Sequence, residues 1–265
     1  MMQKTEEIRL SVHEFVAVLA LCGYDSMARQ VINEQELIKN ETEFTRFIDE
    51  AETGLKQKGY WDDDRESNLA KGLEDLLYLL VHSKKKVRCI QMREKQVLLI
   101  HSLNNSNVLV QRIQMGEHTF SFHHRGEGYY DILRNHYGMA NTEINVEGWQ
   151  PIQLTDEMFD ELHTTDPEIL HAMKDDENQA IPLRELANDL LKNGQEFDNI
   201  SFMVSNYVKD QSEFDEVQFL LPANNYIWHL NYDNVEIKKE VVLQPISVRT
   251  YFEEIDRALI EFLNE

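Results

Sequence analysis

Leu10-Ser11-Val12-His13-Glu14-Phe15 near the start, and Leu154-Thr155-Asp156-Glu157-Met158-Phe159 past the middle, are the stretches on which the reading of this chain turns. In the first, Ser11 is a helix N-cap with Glu14 three residues on, which together make a capping box. Phe15, Val18, Leu19 and Cys22 then follow at helical spacing until Gly23. In the second, Thr155 takes the N-cap position and Met158, Phe159 and Leu162 form the apolar stripe, although the glutamate of the box is missing. Each stretch opens a helical region that gives way to strands.

After the first opening come a less regular helical stretch at 27–38 and two amphipathic patterns, Phe44, Phe47, Ile48, Ala51 and Leu55, then Leu69, Leu73, Leu76, Leu77 and Leu80. The period then changes to two, which predicts strands at 87–92, 97–103, 108–114 and 118–123, and a helix follows over 129–137. The second half carries a helix from Pro182, strands at 200–208, 217–221, 226–231 and 235–243, and a last helix bearing Phe252, Ile255, Leu259 and Phe262. Both halves therefore run helices, four strands, helix. We expect an α+β fold of two quasi-repeated halves, 1–150 and 151–265. Joined at a strand edge, they would make one central sheet flanked by helical bundles and pack as one compact unit.

Composition narrows the function. Lys plus Arg number 26 against 48 Asp plus Glu, and a net charge of -22 repels phosphate backbones, so nucleic acid is not an expected partner. No apolar run is long enough to cross a bilayer and no signal-peptide pattern opens the chain, so we expect neither export nor membrane insertion. Cys22 and Cys89 lie in apolar patterns and read as buried thiols suited to a reducing compartment, hence a cytoplasmic protein.

No nucleotide loop, nucleophile elbow or Cys/His ligand run is present. His118, His123, His124 and His136 cluster in sequence, but on a strand His123 and His124 face opposite ways, so no metal or other cofactor is implied. Asp62, Asp63 and Asp64 read as charges at a helix N-terminus rather than a calcium loop. Lys84, Lys85, Lys86, Arg88, Arg93 and Lys95 read as a solvated helix end and a lysine-protected strand edge, in preference to an anion site. Residues 153–198 hold 13 acids against Lys174, Arg184 and Lys192, an acidic lobe with two readings: a solubilising face, or a docking surface for a basic or helical partner. The turn made by Leu103, Asn104, Asn105, Ser106 and Asn107 is the other candidate for contact.

The Leu-Ser-x-x-Glu-Phe helix over residues 10–23, followed by charged helices, a strand meander and a degenerate second copy of that order, resembles the EspG-like secretion-associated chaperones of type VII secretion systems and their EsaE-like Gram-positive relatives. The resemblance covers the whole chain as an order of elements and residues 10–23 as sequence. It implies a cytosolic chaperone without catalytic residues that holds a helical export substrate, gripping it through an extended central hairpin loop and the second helical bundle. The equivalent turn here, at 103–107, is short. By position, the implied partner-binding residues are Leu103, Asn104, Asn105 and Asn107 in that turn and Asp156, Met158, Phe159 and Leu162 in the second bundle. The expected function is thus a non-enzymatic chaperone or adaptor for a helical secreted protein or the N-terminal helical region of a toxin. The alternative is an acidic immunity protein that inhibits a basic toxin domain.

Overall fold

The computed structural model describes residues 7–37, 41–140, 146, 148–206, 211–223, 225–232 and 239–264. The chain runs β1 (Ile8–Ser11), α1 (Val12–Leu21), α2 (Asp25–Glu34), α3 (Glu41–Gln57), α4 (Lys71–His82), β2 (Lys85–Gln91), β3 (Gln96–Ser102), β4 (Asn107–Gln114), β5 (Glu117–His124) and α5 (Tyr130–His136). It continues with β6 (Ile152–Thr155), α6 (Asp156–Glu161), α7 (Pro167–Asp175), α8 (Ile181–Lys192), β7 (Asp198–Asn206), β8 (Gln211–Pro222), β9 (Tyr226–Asn231), β10 (Glu240–Ser247) and α9 (Val248–Asn264). The class is α+β, as expected. The strands form a ten-stranded sheet in the order β1-β5-β4-β3-β2-β7-β8-β9-β10-β6.

Two elements escaped the sequence reading because each is only four residues long. Strand β1 pairs antiparallel with β5, Leu10 opposite His118, and β6 pairs antiparallel with β10, Leu154 opposite Val241. Each runs directly into a capped helix. Two alternating apolar residues each, Ile8 and Leu10, then Ile152 and Leu154, are the whole of their strand signal in sequence. Helix α7 was also missed, and the strand expected at 235–243 lies at Glu240–Ser247, with 235–238 outside the described residues.

The chain gathers into two compact units, Met1–Lys85 with Leu99–His123 and Ser205–Ser212, and Lys86–Leu98 with His124–Val204 and Glu213–Glu265. In the first, α1 begins with the expected capping box: Glu14 N–H donates to Ser11 Oγ at 3.2 Å, and Ser11 N–H donates to Glu14 Oε2 at 2.6 Å. Phe15, Val18 and Leu19 are buried against Phe47 and Leu55 of α3, Leu73, Leu76 and Leu77 of α4, and Leu109 and Phe120 of the sheet. Ile48 of the predicted α3 stripe faces out instead, and the side chain of Phe44 lies outside the described residues. Gln111 bridges the rings of His101 at 3.1 Å and His118 at 2.9 Å beneath this helix layer. Burial pushes His118 down to about 4, so it is uncharged at neutral pH.

The Asp62, Asp63 and Asp64 run does not charge a helix N-terminus. It sits in a tight loop closed by the Trp61–Leu69 bridge, where Asp62 Oδ1 accepts from Asp64 N–H and Asp63 Oδ1 accepts from the Trp61 indole. Helix α4 begins later, and the acid in its first turn is Glu74, held by Arg65 and Ser67.

In the second unit, Phe252, Ile255 and Leu259 of α9 are buried, and Tyr137 stacks on Phe252 at 5.8 Å. A second cluster joins Leu186 and Leu190 of α8 to Leu221, Trp228, Val241 and Leu243 of the sheet. The lysine-rich stretch is corrected here as well. Strand β2 lies between β3 and β7 rather than at an edge, and Arg88 lies over the Phe214 ring at 5.2 Å. Burial, with Arg88 beside it, lowers Lys86.

Candidate functional site

The acidic lobe folds as three short helices. Thr155 Oγ1 accepts from Met158 N–H at 3.1 Å and starts α6, with Asp156 and Glu157 in its first turn. Asp166 caps α7 by accepting from Glu168 N–H at 2.9 Å, and Pro167 occupies the first turn. Pro182 does the same for α8. Gln195, in a left-handed backbone conformation just past α8, ties the three together: its amide donates to Leu162 O at 2.9 Å and Thr165 O at 2.7 Å, and its carbonyl meets His163 Nδ1 at 2.8 Å.

The four sequence-predicted residues of this region take different places. Phe159 is buried, with its ring 5.0 Å from Phe197 and 5.9 Å from Tyr232, so it anchors α6 to the core. Leu162 is half-buried against the same cluster. Asp156 is half-buried at the helix start, where its N–H donates to Lys239 O at 3.0 Å. Met158 alone points outward, 51% exposed. Two apolar side chains that the sequence reading passed over join it on the same three helices: Ile169 is 54% exposed and Ile181 60% exposed. Neither continues the buried stripe of its helix, which is Leu170 in α7 and Leu186, Ala187 and Leu190 in α8. An apolar residue off the stripe of a charged helix was the available signal.

Not all of the acidity faces solvent. Asp189 is buried, and its Oδ2 accepts from the Tyr226 hydroxyl at 2.6 Å and the Trp228 indole at 3.1 Å, which fastens α8 to β9. Lys192 lies 3.5 Å from its other oxygen. Asp198 is fully buried at the head of β7 and accepts from Met92 N–H at 2.8 Å. Desolvation lifts its carboxyl to about 7. The other acids, on α6 and α7 above all, surround Met158 and Ile169 in sequence with negative charge.

At the second candidate, the turn between β3 and β4 is short and closed on itself. Asn104 Oδ1 accepts from both Ser106 N–H and Asn107 N–H at 2.9 Å. Leu103 packs on the first core, Asn107 begins β4, and Asn104 and Asn105 are exposed. Strand β8 has 12 residues against the six of β9, and the pairing between them includes Leu220, Leu221 and Pro222. Phe214 and Val217 of β8 are exposed.

Among the described residues no group of three or more His, Cys, Asp or Glu side chains is placed to hold a metal ion, and no helix is long and apolar enough to cross a membrane. The two cysteines are free thiols, Cys22 pushed up to about 11 and Cys89 to about 12, in both cases chiefly by burial.

No family model and no curated protein matches the chain. Among solved structures it is similar to the type VII secretion system chaperone EspG5 of Mycobacterium tuberculosis, determined in complex with a PE25–PPE41 dimer, with a TM-score of 0.53 and 8% sequence identity. The match spans 94% of this chain and 94% of that one, so what the two proteins have in common is a fold, carried over nearly their whole lengths.

Proposed function

We propose that this protein is a non-enzymatic chaperone of a type VII secretion system that binds a helical export substrate in the cytoplasm and keeps it soluble until transfer. The observation that carries the reading is the end-to-end likeness of fold to a secretion-system chaperone determined in complex with a PE25–PPE41 dimer. The acidic surface of α6 to α8 supports it. Met158, Ile169 and Ile181 offer apolar contacts there, Asp156 and its neighbours offer charge, and Phe159 and Leu162 hold α6 in place. Asn104 and Asn105, flanked by Leu103 and Asn107, supply a polar contact of their own. The same reading takes 1–150 and 151–265 as two quasi-repeated halves. The strand order supports this, since each half sets its first strand outermost, then its fifth, fourth, third and second.

The test is capture. Tagged protein purified gently at low salt from its native cytosol is expected to bring down one helical secreted protein, or the helical N-terminal part of a toxin, in stoichiometric amount by mass spectrometry. A Met158→Asp variant is expected to fold normally and lose it. Recovery of a folded toxin catalytic domain instead would move the assignment to an immunity protein, and recovery of nothing would remove the chaperone reading.

A further inference from the structure

Helices α1, α2 and α3 of the first unit enclose an open cleft of about 350 Å³ that the chaperone reading does not use. Its walls are Val16 and Ala20 of α1, Ala28 and Ile32 of α2, and Phe47 and Leu55 of α3. The alanines leave the space: helices packed through longer side chains would close it. A void of about 150 Å³ is enough for a benzene ring, so this cleft takes one aromatic or two leucine-sized groups. The apolar surface also continues outside it. Leu21 is 37% and Ile48 44% exposed, both among the cleft's lining residues.

Charge identifies the occupant. Together α2 and α3 carry seven acids against Arg29, Arg46 and Lys56, a net charge of -4. The three cations are held by their own helices: Arg29 donates to Asp25 O, Arg46 lies 3.7 Å from Glu50, and Lys56 is paired with Glu52. We propose that this cleft docks a cationic amphipathic helix, which seats a leucine- or phenylalanine-sized side chain between α1, α2 and α3 and covers Leu21 and Ile48 with the rest of its apolar face. A small apolar ligand would fill the cleft and leave the rim bare. A helix covers both and presents lysines or arginines to the acids of α2 and α3. This site is independent of the α6 to α8 surface and holds whether or not the protein is a chaperone.

The probe is a synthetic 18-residue leucine–lysine amphipathic helix, titrated calorimetrically into the full chain, with a leucine–glutamate version as control. Binding of the lysine peptide, weakening with added salt and at least about tenfold weaker to Ala20→Phe and to Ile48→Lys, is the expected result. Ile48 is exposed, so its variant keeps the fold even if Ala20→Phe does not. Absence of binding, equal binding by both variants, or equal binding of the glutamate peptide overturns the proposal. Binding of an apolar dye in the cleft without any peptide binding would reassign it to a small ligand, and also overturns the proposal.

Discussion

Replacing Gly54 by alanine sets two well-characterised effects against each other. Gly54 lies inside α3, where alanine is favoured over glycine by about 1 kcal/mol, so propensity alone predicts a more stable protein. A Cβ at this position, however, would overlap Glu14 Oε1 and come within 3.1 Å of its carboxyl carbon. A flexible side chain could swing aside, but this one is fixed. Glu14 is 4% exposed, one oxygen accepts from Ser11 N–H, and Lys58 Nζ donates to that same oxygen at 2.6 Å. Displacing it strands a buried charge and opens the capping box of α1. Breaking a fully buried pair costs about 3–5 kcal/mol; Lys58 is 38% exposed, which lowers that cost, so the net expectation is a loss of about 1–3 kcal/mol. Urea denaturation followed by far-ultraviolet circular dichroism reads it as a lower midpoint at an unchanged slope. The double-mutant cycle sharpens the test: in a Glu14→Ala background the obstacle is gone, and Gly54→Ala becomes neutral or stabilising by up to about 1 kcal/mol. A Gly54→Ala protein as stable as the parent would refute the reasoning.

Asp189→Ala leaves the Tyr226 hydroxyl and the Trp228 indole without their acceptor in the core, and we expect a loss of about 3 kcal/mol with a collapsed near-ultraviolet signal from Trp228; an unchanged melting curve would count against the anchor. Asp198, lifted to about 7 in the fold from an ordinary 3.8, holds a proton that the unfolded chain releases, so its contribution is complete below about 4 and disappears as pH rises through 7. Stability measured from pH 5 to 8 is therefore expected to fall more steeply for the parent than for Asp198→Asn, and parallel curves would rule this out. Reversing Glu157, Asp160 and Glu161 to lysine changes exposed positions only, so melting is expected to shift little while substrate capture at low salt drops; full capture would separate the acidic surface from binding.

The fold was legible where periodicity and caps agreed. Ser11 and Glu14 mark the start of α1 in sequence as they do in space, and the period change after Leu80 falls where helices give way to β2. Other features depend on partners distant in sequence. That β2 is an interior strand follows from its pairing with β7, more than 100 residues on, and lysines alone suggest an edge. The Asp62 to Asp64 run looks like a helix start until the Trp61–Leu69 bridge shows it closed as a loop. Asp189 counts as surface charge in any sequence tally, because nothing local records that Tyr226 and Trp228 will meet it.

The candidate site was harder to read, for a reason built into amphipathic helices. Sequence reasoning selects the stripe, Met158, Phe159 and Leu162 in α6, but the core takes only Phe159 and Leu162: fully burying such a side chain is worth about 1.5–3 kcal/mol, so folding claims those two before any partner can. Residues left for a partner are the apolar ones that the core does not reach. Met158 beside Phe159 and Ile169 beside Leu170 are such neighbours, each pair dividing one position for the fold from one for the surface. On charged helices, with acids available for every outward position, an outward methionine or isoleucine adds nothing to the folded monomer's own core. The same argument applies to Ile48, which neighbours the buried Phe47 at the mouth of the α1–α2–α3 cleft. Outward apolar residues on acidic helices thus mark both surfaces, and the two capture experiments ask whether each is occupied.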